Sequence, residues 1–204
     1  MTTELSIIIV NYRVYPYLNA CLQAVSAALT KVNAEIIVVD NDTDKTKQIK
    51  LAHDFPTIQW ICLTQNLGFA KANNVALEKA VGKYILFLNP DTSIPANTLT
   101  DTVQYLSSNP RVGAVGVQML DGKGCFLPES KRDQPSLLGS FFKLTGLATL
   151  FSHAAIFSSY ALGKKNKNQV HSVPVLAGAF IMMPTVLAQK IGGFDESFFM
   201  YGED

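Results

Sequence analysis

This 204-residue chain lacks the residues that several chemistries require. Cysteine is scarce, with only Cys21, Cys62 and Cys125, which lie far apart. An odd, scattered set builds neither a disulfide framework nor a metal-spacing motif, and it predicts a reducing, cytoplasmic environment. An excess of one charge is missing too. The formal net charge is +1, which excludes a nucleic-acid binder that works by neutralising phosphates. No G-x-G-x-x-G follows the first apolar run, and no G-x-x-x-x-G-K-[ST] occurs, so dinucleotide and P-loop readings lose their main support. Internal repeats and low-complexity linkers are also lacking. Met1-Thr2-Thr3-Glu4 carries no basic stretch, and Leu5 to Asn11 is too short for a signal peptide or a membrane span.

What remains is apolar and regular. Hydrophobic residues make up 48% of the chain and charged residues 16%, enough for one sizeable α/β domain over residues 1–204. Leu5 to Val10 is a β-branched run, hence a buried strand, and Asn11-Tyr12 ends it. Leu18, Leu22, Val25 and Leu29 follow at helical spacing. Glu35 to Asp40 is a second strand ending in an acid, and a polar helix runs on to about His53. Thr57 to Leu63 is a weaker third strand. Asn66 opens the next helix, which ends near Ala80. Tyr84 to Leu88 is a strand buried on both faces, stopped by Asn89-Pro90-Asp91-Thr92. The alternation β-α-β-α-β-α-β predicts a mostly parallel sheet with right-handed crossovers.

Parallel strands bring their C-terminal ends to one rim, where open α/β sheets bind ligands. Asn11, Asp40, and Asn89 with Asp91 all fall on that rim. Asp40 can accept hydrogen bonds from a base N–H or a ribose hydroxyl. Asn66 and Gly68 stand at a helix start, where free backbone N–H groups favour an anion. Each residue also has a plainer reading. Asp40 can be a loop acid, Asn66 and Gly68 an N-cap and a tight turn, and Asp91 a turn former capping the helix after Pro95.

Taken together, these segments resemble the inverting nucleotide-sugar glycosyltransferases of family 2, which have the GT-A fold. The resemblance rests on Ser6 to Tyr12, Ile36 to Asn41, Asn66-Leu-Gly-Phe-Ala-Lys-Ala-Asn-Asn74 and Phe87-Leu-Asn-Pro-Asp91. Leu176 to Met183 and Gly192-Gly-Phe-Asp-Glu to Tyr201-Gly-Glu-Asp204 extend it along nearly the whole chain, in the family's order. The Asn-Pro-Asp form and the ending are similar to the rhamnosyltransferase-like branch. The resemblance implies a GT-A, Rossmann-like, mostly parallel sheet flanked by helices. Residues 1–110 would hold the nucleotide sugar, and residues 111–204 would form the acceptor side. It implies that Asn11 and Asp40 line the nucleoside pocket with Asn66 and Gly68 beside it. Asp91 matches the metal-binding acid of the family's D-x-D element, with Asn89 in place of the first acid. A divalent metal, Mg²⁺ or Mn²⁺, would then have one carboxylate ligand plus diphosphate oxygens and water. Asp204 matches the general base, and Glu203 is its neighbour. The implied donor is a UDP- or dTDP-sugar, with rhamnose a candidate, and the acceptor a saccharide or lipid-linked saccharide of the cell surface.

The second half is less regular. Leu99, Val103 and Leu106 mark a helix, and Val112 to Leu120 reads as a strand of small residues. Val175 to Met183 is a further apolar strand. Asp195 and Glu196 could contact acceptor hydroxyls or cap a helix. Residues 137–167 combine apolar helical content with Lys164, Lys165 and Lys167. That segment reads either as a buried hairpin or as peripheral contact with the anionic inner membrane face. Tyr201 to Asp204 stops inside the matched motif, so the chain is expected to be C-terminally truncated, with an incomplete acceptor side. Two rivals differ in class. A non-catalytic nucleotide-sugar-binding module would bind donor without transfer. A nucleotidyltransferase would want a Gly-rich basic loop after the first strand, which Asn11 to Pro16 is not.

Overall fold

The computed structural model describes residues 2–42, 45–127 and 169–199. Asp204, Glu203 and residues 137–167, singled out above, lie outside the described residues. Five strands form one sheet: β1 Leu5–Asn11, β2 Ala34–Asp40, β3 Gln59–Cys62, β4 Tyr84–Leu88 and β5 Phe180–Pro184. Their order is β3-β2-β1-β4-β5. The first four are parallel, and β5 pairs antiparallel with β4, Phe87 facing Ile181. The helices are α1 Tyr15–Ala28, α2 Lys45–Asp54, α3 Phe69–Leu77, α4 Thr98–Ser108 and α5 Thr185–Lys190.

Every residue of β1 and of β4 is buried, as strands covered on both faces require. Alternation sends Ile8 and Val10, Ile37 and Val39, and Ile85 and Phe87 to one face. There they pack with Ala70, Ala72, Ala76 and Leu77 of α3, Ala188 of α5 and Phe194. Alanines on α3 let that helix lie close to the sheet. The helical spacing expected in α1 is met, with Leu18, Leu22 and Val25 buried. Pro16 sits in its first turn, where a missing N–H has no cost. From β1 the chain steps outward through β2 to β3, then returns to lay β4 on the other side of β1. The reversal makes a topological switch point between β1 and β4.

Two expectations are corrected. Val112–Leu120 forms no strand and contributes only two isolated bridges, Val115 with Met182 and Leu120 with Phe126. Its small residues offer little side-chain area to hold a ladder. The helix after Pro95 begins at Thr98 with Asn97 at its N-cap, so Asp91 does not cap it. The chain gathers into two compact units, Met1–Val115 with Gly178–Asp204, and Gly116–Ala177. The sheet belongs to the first. In the second, the turn after Leu120 is closed by Asp121, whose Oδ1 accepts the Lys123 and Cys125 N–H groups at 2.9 and 2.8 Å. No helix among the described residues is long and apolar enough to cross a membrane.

Candidate active site

The parallel register sets Asn11 directly beside Asp40 at the rim. Asn11 Nδ2 donates to Asp40 Oδ1 at 2.8 Å, and the Tyr15 hydroxyl donates to Oδ2 at 2.9 Å. Asn11 Oδ1 in turn accepts the Val14 N–H at 3.3 Å, tying the loop after β1 to the same group. Asp40 is 1% exposed and Asn11 0%. The carboxylate expected to face a ligand is therefore occupied by its own neighbours. Burial raises its pKa, against the lowering effect of the Asn11 and Tyr15 hydrogen bonds. Asn11 and Asp40 form a buried floor at the ends of β1 and β2.

The open groups lie just beyond the strand ends. Tyr12, next after β1, is 39% exposed. Arg13 takes a left-handed backbone, φ 62°, which for a non-glycine residue is uncommon and marks a tightly set turn. Its Nε reaches Asp42 Oδ1 at 3.2 Å, and its guanidinium lies 5.1 Å from the Tyr12 ring centroid. Asp42 is buried and Arg13 mostly exposed, so the pair holds the loops after β1 and β2 together. Sequence reasoning did not assign Tyr12, Arg13, Tyr15 or Asp42 to the site. The signal available was their position one to four residues past strands ending in Asn or Asp.

At the start of α3, three backbone N–H groups already have partners within the chain. The Leu67 N–H donates to Asn41 Oδ1 at 2.9 Å, and the Gly68 N–H to Asn66 Oδ1 at 2.9 Å. The Phe69 N–H donates to the Phe199 carbonyl at 3.0 Å. Those three donors are taken by the chain itself. Asn66 is instead a bracket: Asn41 Nδ2 donates to its Oδ1 at 2.8 Å and to the Gly68 carbonyl at 3.1 Å. Gly68 has φ 83°, and a Cβ there would meet the Phe199 carbonyl oxygen at 2.5 Å, so only glycine fits.

Across the switch point, Asn89 to Thr92 forms a turn closed by the Thr92 N–H on the Asn89 carbonyl at 3.2 Å. Asp91 is exposed at this turn. The buried Cys21 thiol lies under the turn, 3.7 Å from the Asn89 carbonyl. Its pKa is pushed up to about 12, by burial first and then by the Asp91 charge, so it stays a thiol and is no nucleophile at neutral pH. Among the described residues no group of three or more His, Cys, Asp or Glu could hold a metal. Asp91 can supply a single hard oxygen ligand, which suits a cation whose other ligands come from substrate and water. Asp195 and Glu196 are exposed on the segment after α5. Asp195 Oδ1 accepts the Ser197 N–H at 2.9 Å, which lowers its pKa. Glu196 Oε1 accepts from Asn74 Nδ2 at 3.0 Å.

A family model described as Glycosyl transferase family 2 matches residues 6–170. Over its full length the chain is 26% identical to the N-acetylglucosaminyl-diphospho-decaprenol L-rhamnosyltransferase of Mycobacterium tuberculosis, covering 69% of that protein. It is also 26% identical, again over its full length, to a low-salt glycan biosynthesis hexosyltransferase of Haloferax volcanii, covering 60% of that protein. Among solved structures, S. aureus TarS in complex with UDP superposes with a TM-score of 0.64 at 21% identity, over 98% of this chain and 52% of that one. The mannosyltransferase PcManGT from Pyrobaculum calidifontis, in complex with GDP-Man and Mn²⁺, gives 0.62 at 21%, over 96% of this chain and 48% of that one. At such identity the structures establish the fold, that of GT-A glycosyltransferases. The chain spans about half the length of the solved structures it matches.

Proposed function

Because this chain belongs to glycosyl transferase family 2, we propose that it transfers a sugar from a nucleoside diphosphate sugar to a saccharide or lipid-linked acceptor, with inversion, in the synthesis of a cell-surface glycan. The observation that carries this reading is the exposed Asp91 carboxylate at the C-terminal end of β4, across the switch point from the loop that ends β1. Ligands of open α/β sheets sit in that crevice. Exposed Tyr12, next after Asn11, would supply an aromatic surface to the nucleoside. Asn66 and Gly68 shape the neighbouring wall through Asn41. Asn89 holds the turn that presents Asp91.

A divalent cation, Mg²⁺ or Mn²⁺, held by Asp91 and donor oxygens would neutralise charge developing on the diphosphate leaving group. The mannosyltransferase neighbour is described with Mn²⁺ and GDP-Man, which supports a metal-assisted donor site here. Asp204 is the proposed general base, with Glu203 beside it and Asp195 and Glu196 on the acceptor side. A single base taking the acceptor proton opposite the leaving group gives inversion without a covalent intermediate. A rhamnosyl donor and a lipid-linked acceptor are the finer reading, supported by the name of the mycobacterial relative. Such an acceptor would place the protein at the inner membrane face.

The test is a thermal-shift panel of UDP-, dTDP- and GDP-sugars with and without Mn²⁺ or Mg²⁺, since a ligand of the folded state alone raises its melting temperature. A shift with one nucleotide class that needs the metal supports the reading. No shift with any nucleotide sugar in either metal refutes it. Assaying transfer to saccharide and lipid-linked acceptors then separates a transferase from a binding module.

A further inference from the structure

The segment after α5 returns to α3 and is fastened there mainly by one side chain. Asn74 Nδ2 donates to the Phe194 carbonyl at 2.9 Å and to Glu196 Oε1 at 3.0 Å, while Asn74 Oδ1 accepts the Phe194 N–H at 2.9 Å. One amide thus uses both ends on the stretch that carries Asp195 and Glu196. Gly193 lets the two approach. It has φ 73°, and a Cβ there would lie 2.2 Å from Asn74 Oδ1. Phe194 anchors the stretch in the core, edge to face with Phe87 at 4.7 Å and Phe69 at 5.4 Å. Farther along, the Phe199 carbonyl takes the Phe69 N–H. The same helix begins with Gly68, which is tied to Asn41 and so to the loop after β2.

We infer that Asn74 is a positioning residue: it latches the Gly193–Glu196 stretch to α3, so that the acceptor-side acids keep a fixed place relative to the donor-side loops. The inference rests on the transferase reading for its kinetic consequence and on geometry alone for the latch. Phe194 holds the stretch through apolar burial whatever Asn74 does, so the fold should survive loss of the amide. The direction and spacing of Asp195 and Glu196 should not.

Two variants test it, each against the parent chain. Asn74→Ala removes all three hydrogen bonds. Gly193→Ala leaves Asn74 intact and pushes the stretch off it. Hydrogen–deuterium exchange of the Phe194 amide reads the latch directly and should accelerate about tenfold or more in both, with cooperative melting retained. Transfer should fall on the order of 10²-fold in kcat, as misplaced reacting groups cause, with nucleotide-sugar affinity within about twofold of the parent. Parent-like exchange at Phe194 in a folded Asn74→Ala chain overturns the latch. Fast exchange with parent-like kcat, or a loss confined to donor affinity, overturns the positioning role. Should the 204-residue parent transfer nothing, the kinetic arm is run on a chain extended to the length of its relatives; no transfer there overturns the transferase reading, while exchange still decides the latch.

Discussion

Replacing Asp40 by alanine tests the floor of the site most sharply. The change removes the acceptor of the Asn11 Nδ2 bond at 2.8 Å and of the Tyr15 hydroxyl bond at 2.9 Å, in a place 1% exposed to solvent. Each stranded buried donor costs about 1–3 kcal/mol. The raised pKa of Asp40 shows that burial of the charge outweighs those bonds, so deleting the carboxylate also relieves a penalty. The lower half of the range follows, roughly 2–4 kcal/mol in sum. For a chain of this size that is a fall in Tm of roughly 4–16 °C. Asp40→Asn keeps an oxygen for Asn11 and should cost about 1 kcal/mol or less. The pH dependence follows from the same group. A carboxyl whose folded pKa is raised binds its proton more readily in the folded chain. Stability therefore falls as pH rises from the ordinary value of 3.8 through the folded value. Urea melts of parent and Asp40→Asn across that acidic window should show a flatter profile for the amide. An Asp40→Ala protein that melts within about 1 °C of the parent would refute the account, because two buried donors cannot lose their acceptor without cost.

Three further outcomes are expected. Asp91→Ala should leave Tm nearly unchanged, since the residue is exposed, and should abolish the metal-dependent part of nucleotide-sugar affinity measured by calorimetry. In a chain extended past residue 204 to the length of its relatives, Asp204→Asn should lower transfer by about 10²–10⁴-fold, the usual contribution of a general base, with donor affinity unchanged; a near-parent rate would turn attention to Asp195 or Glu203. If residues 137–167 dock on an anionic bilayer, co-sedimentation with anionic liposomes should weaken as salt rises. Absence of binding at low salt would leave the buried-hairpin reading.

The layout of the sheet was legible because its signals are local. Runs such as Ile7-Ile-Ile-Val10 and Tyr84-Ile-Leu-Phe-Leu88 can be buried on both faces only in a covered parallel sheet, and Pro90 stops β4 where the sequence says it must. The place of Asp91 followed from that. The burial of Asp40 did not, because its partners depend on strand register and on the tyrosine that opens α1, both far away in sequence. The α3 N-terminus reads as an anion site because the first turn of any helix has free donors. Only the folded chain brings the Phe199 carbonyl to it. The latch at Asn74 was hidden for the same reason: an asparagine inside a helix carries no mark of what its amide meets on the other side of the chain.

On the proposed reading, donor and metal sit on the rim between β1 and β4. A crystal structure of the chain with nucleoside diphosphate and Mn²⁺ tests it most directly. The account predicts the ion bonded to an Asp91 oxygen at about 2.0–2.6 Å, the span of hard-cation oxygen distances, with diphosphate oxygens completing its shell and the base beside Tyr12. Metal and nucleotide bound elsewhere, with Asp91 left in solvent, would contradict it.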